Sequence, residues 1–516
     1  MDFGDILRRS ARHHAERVAI RCDASELTYA ELYARASALA AGLVAAGARP
    51  GDRIATVGDN ALDTAEQLCA IALGGFVRCP LYTHNASDTH AYMLNLSGAR
   101  IVLAEDQYVQ TILACRGALQ HVELVVGTTT GECSIAELVA RGSGADPQAA
   151  VAAADVHILR FSAGTTGRPK GIAHSNLGWR QMADEVCLSL GRLTEADVQV
   201  VCGPMSHASG LLFWPMIARG ATQVLCPAFD AGEVLRLLEA ERATTVLLVP
   251  TMMQLLAAHP DAGTRDLSHL RHVLYTASPA SERTLEDAAA LFGPVLHQFY
   301  GQSEILPLTV LRPDEHVFSG DLRRWLRSAG RPSPNAFIRI VDDEGLDVPA
   351  GEIGEVAGRS PGGMLGLWQD PQGTAARTLP GGWIRTRDLG RVEDDGFLYL
   401  ADRKEDMIIS GGYNIWPAEI ENALHAHPAV AEAVVVGVPH PKWGETPHAA
   451  VVVRPGAAVT EAELIEWCRS ALGSVKKPTT VEFRSGPLPK TPIGKVLRRE
   501  IRDPFWEQRP AGIGGA

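Results

Sequence analysis

The sequence predicts an α/β protein with a large multi-sheet N-terminal body and a small α+β C-terminal unit. Three observations carry this. Over the first four hundred residues, short β-branched runs alternate with longer helical stretches. Those runs are apolar without polar alternation, as strands buried on both faces of parallel sheets are. After about residue 400 the texture changes to short mixed units. In order, Leu27 leads into Thr28, which with Glu31 forms a capping box for an Ala- and Leu-rich helix stopping at Gly47. Strands are expected at 54–57, 101–103, 122–126, 246–249 and 273–275, with a further strand ending at Ile158-Leu159. Beyond 400, strands are expected at 408–409, 433–438, 449–453 and Thr480–Phe483. Helices start at Pro417, a favoured first-turn residue, and at Thr460, whose Glu463 completes a second capping box. The charged stretch Asp402-Arg403-Lys404-Glu405 is poor in apolar residues, so the units divide there into 1–402 and 403–516.

The chain has 516 residues, enough for about three domain equivalents. With 48 Lys+Arg against 60 Asp+Glu, its net charge of -12 excludes sequence-blind nucleic-acid or anionic-membrane binding, which need a basic face. No apolar run approaches the ~18 residues of a membrane span. The start Met1-Asp2-Phe3-Gly4-Asp5 lacks the basic-then-apolar order of a signal peptide. Nine scattered cysteines form neither a disulfide ladder nor a metal knuckle. A soluble, reduced, cytoplasmic enzyme is expected.

The densest chemistry lies in Phe161-Ser162-Ala163-Gly164-Thr165-Thr166-Gly167-Arg168-Pro169-Lys170-Gly171. Glycines let backbone N–H groups converge on an anion, hydroxyls add donors, and Lys170 adds a point charge. This is a phosphate-cradling composition. It is not a Walker A loop, because the Gly-x4-Gly-Lys spacing is missing and Gly171 follows the lysine.

The stretch resembles the phosphate loop of the adenylate-forming superfamily, which comprises acyl-CoA synthetases, luciferases and peptide-synthetase adenylation domains. Ala163 stands where Ser or Gly is commoner, and Asn176 where a His often follows. Further blocks appear in the family's order. Tyr300-Gly301-Gln302-Ser303-Glu304 resembles Tyr-Gly-x-Thr-Glu, which implies Glu304 as the Mg²⁺ ligand, Mg²⁺ being an oxygen-preferring ion. Thr386-Arg387-Asp388-Leu389-Gly390 with Asp402-Arg403 resembles the ribose block, an Asp being able to accept from both vicinal hydroxyls and Arg403 adding a charged donor. Glu405 occupies the family's hinge position, where Asp or Lys is usual.

The resemblance implies that Lys495, in Pro489-Lys490-Thr491-Pro492-Ile493-Gly494-Lys495, bridges the carboxylate and α-phosphate during adenylation. Met205-Ser206-His207-Ala208-Ser209-Gly210 resembles the acyl-pocket segment, with His207 orienting the carboxylate. Tyr275-Thr276-Ala277-Ser278-Pro279-Ala280 stands where relatives read Gly-Gly-Ala-Pro-Leu at the adenine, so Thr276 and Ala277 replace two glycines. Ala208, Ser209, Leu212, Phe213, Ala277, Tyr300, Ile305 and Leu306 are expected around the acyl pocket. They carry no charge to hold a substrate amine, which leans toward aromatic or medium-chain acids.

In the small unit, Ser410-Gly411-Gly412-Tyr413-Asn414-Ile415 matches the segment that approaches the pantetheine arm of coenzyme A. Trp443 matches a position near the nucleotide end of CoA, and Lys476 and Lys477 are candidates for its phosphates. Val475 stands where many relatives place an aromatic. The resemblance therefore implies an AMP-forming carboxylate–CoA ligase using ATP, Mg²⁺ and CoA. Its small domain is expected to turn as a lid about Glu405 between adenylation and thioester formation. A second reading keeps the adenylation but passes the acid to a free-standing carrier protein or a nitrogen nucleophile. A third, a dead binding protein on the same fold, is opposed by the intact Lys170, Glu304, Asp388, Arg403 and Lys495.

Overall fold

The computed structural model describes residues 2–83, 85–162, 169–403, 406–410, 413–490 and 496–507, with backbone only at Ser162, Asp402, Arg403, Ile409, Asn414 and Glu507. Among these residues the chain forms four sheets.

The first, nine-stranded, has a parallel centre in the order Leu296–Gln302, His272–Tyr275, Thr245–Leu248, Val198–Val201, Thr222–Leu225 and Val18–Cys22. Ile305–Leu311 joins one side antiparallel. The second, eight-stranded, runs parallel through Val156–Ser162, Val77–Pro80, Arg53–Val57, Ile101–Ala104, Leu124–Gly127 and Cys133–Ser134. Lys170–Ser175 and Gly366–Leu367 extend it antiparallel. The expected apolar runs are thus strands; Ile101–Ala104, Thr245–Leu248 and His272–Tyr275 are buried at every position, as is Val77–Pro80, which was not among the expected runs. Helices cover both faces, which is why the runs do not alternate.

The helix Leu62–Leu73 is buried from Thr64 through Leu73 and contributes to the core shared by the two large sheets. The Thr28–Glu31 box caps Tyr29–Ala45 as expected, with Glu31 N donating to Thr28 Oγ1 at 3.2 Å and Thr28 N to Glu31 Oε2 at 2.8 Å. The third sheet, built from strands between Phe337 and Arg403, is antiparallel and was not anticipated. The fourth packs Val430–His440 against Gly444–Val453 with Thr480–Phe483 parallel at its side, and Pro417–His425 and the Thr460-capped Glu461–Leu472 cover its core. The large α/β body and small α+β unit read from the sequence are therefore present.

Candidate active site

The groups singled out in the first sheet follow the carboxyl ends of its parallel strands, where open α/β sheets place ligands. Tyr300-Gly301-Gln302 ends the strand Leu296–Gln302. A Cβ on Gly301 would lie 2.7 Å from Ile305 O, so no side chain fits there. The Tyr300 hydroxyl donates to Asp388 Oδ2 at 2.8 Å, and Gln302 Nε2 donates to the same oxygen at 2.7 Å and to Thr386 O at 2.6 Å. Asp388 is buried, on the strand Trp383–Val392 opposite Arg403. Two side chains 88 and 86 residues away in the chain thus meet on one carboxylate oxygen.

The Ser303 carbonyl accepts from His174 Nε2 at 2.7 Å, tying this turn to the strand Lys170–Ser175. Glu304, 7% exposed, has Oε1 3.5 Å from an Arg377 guanidinium nitrogen.

The strand Val156–Ser162 runs three residues beyond its expected end and pairs antiparallel with Lys170–Ser175, Ser162 facing Lys170. Lys170 Nζ lies 3.5 Å from Asp370. Both side chains are more than a third exposed, so the pair is worth at most ~1 kcal/mol. Gly164, Thr165, Thr166, Gly167, Gly411, Gly412 and Lys495 lie outside the described residues, as do the side chains of Ser162 and Arg403.

After the strand His272–Tyr275, Thr276 Oγ1 donates to Phe299 O at 2.8 Å, and Ala277 adopts φ 78, a left-handed conformation that glycine holds at lower cost. Ala277 and Pro279 are exposed and Ser278 half-buried at this open end. The alanine keeps a backbone shape suited to the glycine it replaces.

His207 stacks on Tyr82 with ring centroids 3.8 Å apart, and its Nδ1 is 2.8 Å from Ser206 Oγ. Burial, then the charges of Arg160 and Arg78, push its pKa down to about 3, so it is neutral near pH 7. Burial does the same to His174, at about 4, and to His157, at about 3. Arg160 lies over Trp179 with Cζ 5.5 Å from the ring centroid. Arg78 donates to Met205 O at 3.3 Å, and its buried Nε has no partner among the described residues. This basic inner wall favours an anion beside His207.

A small cavity of about 10 Å³, room for a single water-sized group, is lined by Val186, Leu211, Leu212, Leu247, Leu274, Thr276, Phe299 and Leu306. Of the expected pocket residues, Leu212 and Leu306 line it. Phe213 instead packs edge-on to Trp214 in the core, and the Tyr300 hydroxyl turns to Asp388.

In the small unit, Tyr413 is 61% exposed and Trp443 41% exposed, the latter stacked on His440 at 4.3 Å. Lys477 is half-buried, and Lys476 pairs with Glu419 at 2.8 Å, both side chains being more than a third exposed.

The donor set at Glu304 suits Mg²⁺, which commonly takes one or two carboxylates and fills its shell with phosphate oxygens and water. The Glu304 carboxylate accepts no hydrogen bond among the described residues, and no cluster of three His, Cys, Asp or Glu there would suit a metal held by protein alone.

Comparison with known proteins decides the family. Residues 7–368 match the model of the AMP-binding enzyme, and 419–495 that of the AMP-binding enzyme C-terminal domain. The chain belongs to this adenylate-forming family. Among its relatives, a feruloyl-CoA synthase of Amycolatopsis sp is 37% identical over 96% of this chain and 98% of its own. The fatty acid–[acyl-carrier-protein] ligase ScoC of Streptomyces coeruleorubidus is 34% identical over 96% of this chain and 95% of its own. The amide bond synthetase McbA from Marinactinospora thermotolerans superposes with a TM-score of 0.87 at 32% identity, covering 98% of this chain and all of that one.

In this AMP-binding enzyme the structure places beside the singled-out groups residues that motif matching passed over. Gln302 fills the variable place of its block. Arg78 and Arg160 carried a signal, since each is a charge flanked by apolar residues in a strand. Arg377 carried none; only the fold returns it to Glu304.

Proposed function

We propose that the enzyme activates a carboxylic acid with ATP and transfers the acyl group to CoA, releasing AMP and pyrophosphate. The observation that carries this reading is the meeting of Tyr300, Gln302 and Asp388 beside Glu304, within reach of the phosphate-loop hairpin. Asp388 holds the ribose hydroxyls, its carboxylate fixed by Tyr300 and Gln302. The loop at 162–167 and Lys170 cradle the phosphates. Ala277, Ser278 and Pro279 line the adenine, and Arg403 supports the ribose. Glu304 holds Mg²⁺, which supplies charge neutralisation to the triphosphate.

A carboxylate oxygen of the acid attacks the α-phosphorus, and the bond to pyrophosphate breaks with its electron pair on the leaving group. His207, neutral and stacked on Tyr82, orients the carboxylate as a hydrogen-bonding group, and Lys495 offsets the charge spreading over the α-phosphate. The CoA sulfur then attacks the acyl carbonyl and AMP leaves. For that second step the unit 403–516 turns about Glu405, withdraws Lys495 and presents Gly411, Gly412 and Tyr413 to the pantetheine arm, with Trp443 and Lys477 toward the nucleotide end.

The apolar lining of that cavity, with the Thr276 hydroxyl already engaged, supports an acid with an apolar tail, aromatic or medium-chain. Nine unpaired cysteines support a cytoplasmic location. Among the described residues no helix is long and apolar enough to cross a membrane. A second reading, transfer to a carrier protein or a nitrogen nucleophile, is favoured by one observation. Val475, in the place of an aromatic, is 44% exposed and offers CoA little contact.

The deciding experiment incubates the enzyme with ATP, Mg²⁺ and a panel of acids, with and without CoA, under mass spectrometry. An acyl-CoA ion formed only with CoA supports the ligase. An adenylate that CoA does not capture moves the assignment to the second reading.

A further inference from the structure

The segment 364–379 is laced onto both halves of the nucleotide site. Met364 N donates to Glu304 O at 2.7 Å, Leu365 N to Ala173 O at 2.8 Å, and Trp368 N to Gly171 O at 2.7 Å. Gly366–Leu367 adds as a strand beside Lys170–Ser175. Asp370 then caps the helix Pro371–Arg377, accepting from Gly373 N at 2.7 Å, and Thr374 Oγ1 closes the turn on Asp370 O and Leu367 N, each at 2.8 Å. The register of this strap delivers Arg377, at the end of the helix, to Glu304.

That ion pair is loosely made. Its side chains are only 15% and 9% exposed, yet the N–O separation is 3.5 Å, well beyond the ~2.7–2.9 Å of a tight charge-assisted hydrogen bond. A guanidinium has five N–H donors, and among the described residues Arg377 has no other polar partner. A pair of this kind is costly to break by removing one member, because a largely buried charge is left alone. It is readily exchanged for a ligand that brings both signs together. A metal–polyphosphate is such a ligand.

We propose that Arg377 is a leaving-group residue, passing from Glu304 to the β- and γ-phosphate oxygens of ATP when the nucleotide binds and neutralising the pyrophosphate as it departs. The inference rests on the function proposed above. Arg377 re-forms its pair with Glu304 on product release, so neither charge is buried without a partner at any stage. Lys170, held by Asp370 at the other end of the strap, marks the far side of the same phosphate run.

The test compares the full chain with Arg377→Gln and Arg377→Lys by calorimetric titration of ATP and of AMP in Mg²⁺ buffer, without carboxylic acid or CoA. The glutamine variant should bind ATP about tenfold more weakly with AMP affinity within twofold, and the lysine variant should fall between. ATP–pyrophosphate exchange should slow in the same order, while thioester formation from a pre-formed acyl-adenylate stays unchanged. Equal effects on ATP and AMP, or none on either, overturn the inference. Should the glutamine variant fail to fold, the lysine variant decides by the same ATP-to-AMP ratio. A parent protein that binds neither nucleotide overturns instead the function on which the inference rests.

Discussion

The nucleotide side of the large body and the exposed side of the small unit are built on opposite plans. In the body, functional side chains hold one another: Tyr300 and Gln302 on Asp388, Arg377 on Glu304, His207 against Tyr82. In the small unit Tyr413 and Trp443 stand out to solvent, Trp443 touching only its neighbours His440 and Lys442 among the described residues. Groups that must meet charge developing on phosphorus gain from being fixed beforehand, since reorganisation then adds nothing to the barrier. Groups that receive a long, flexible acceptor need surface more than rigidity.

The contrast breaks most sharply at Lys495, which is assigned to the first half-reaction although it belongs to the small unit. Lys495→Ala should slow adenylation by about 10²–10³-fold, the scale of losing one charge-stabilising donor. Thioester formation from a pre-formed adenylate, followed by stopped flow, should change only a few-fold. Equal losses in both steps defeat the two-conformation account.

Asp388→Ala tests the body's mutual holding. It removes the acceptor shared by Tyr300 and Gln302 together with the ribose contact, and hydrogen bonds to a charged group are worth about 1.5–3 kcal/mol each. The KM for ATP should rise about 30-fold or more, while the KM for CoA stays near its starting value. A parallel rise in both would erase the distinction between the two sides.

The buried histidines make the body sensitive to acid. His157, His174 and His207 resist protonation when folded, at about 3, 4 and 3, so below the ordinary histidine range the unfolded chain takes up the protons first. Stability should therefore be full above pH ~6.5 and fall on acidification at about 1.4 kcal/mol per histidine per pH unit, until the folded values are reached. Denaturant titrations from pH 7.5 to 4.5 measure this. The adenylation rate should show no His207-dependent inflection near pH 6.5; one that disappears in His207→Gln would contradict a neutral orienting role.

The smallest effect belongs to the exposed side. Trp443→Ala should raise the KM for CoA about fivefold, roughly 1 kcal/mol of lost aromatic contact, and leave ATP–pyrophosphate exchange unchanged. No change in either would remove Trp443 from the acceptor path.

Much of this was legible along the chain because it is written locally. Capping boxes at Thr28 and Thr460 act over three residues, and four-residue runs buried on both faces declare themselves by composition. The phosphate-loop, Tyr300–Glu304 and Asp388 blocks are short strings, so the family and the list of candidate groups followed from the sequence alone. What the tertiary structure decided were the partnerships. Gln302 and Asp388 are 86 residues apart, and Arg377 is brought to Glu304 only because 364–368 pairs with the strand that follows the phosphate loop. Lys476 meets Glu419 across 57 residues of chain, and Phe213 packs in the core. Local patterns are set by neighbours in the chain; which distant charges meet is set by strand register and packing, and no string of adjacent residues encodes that.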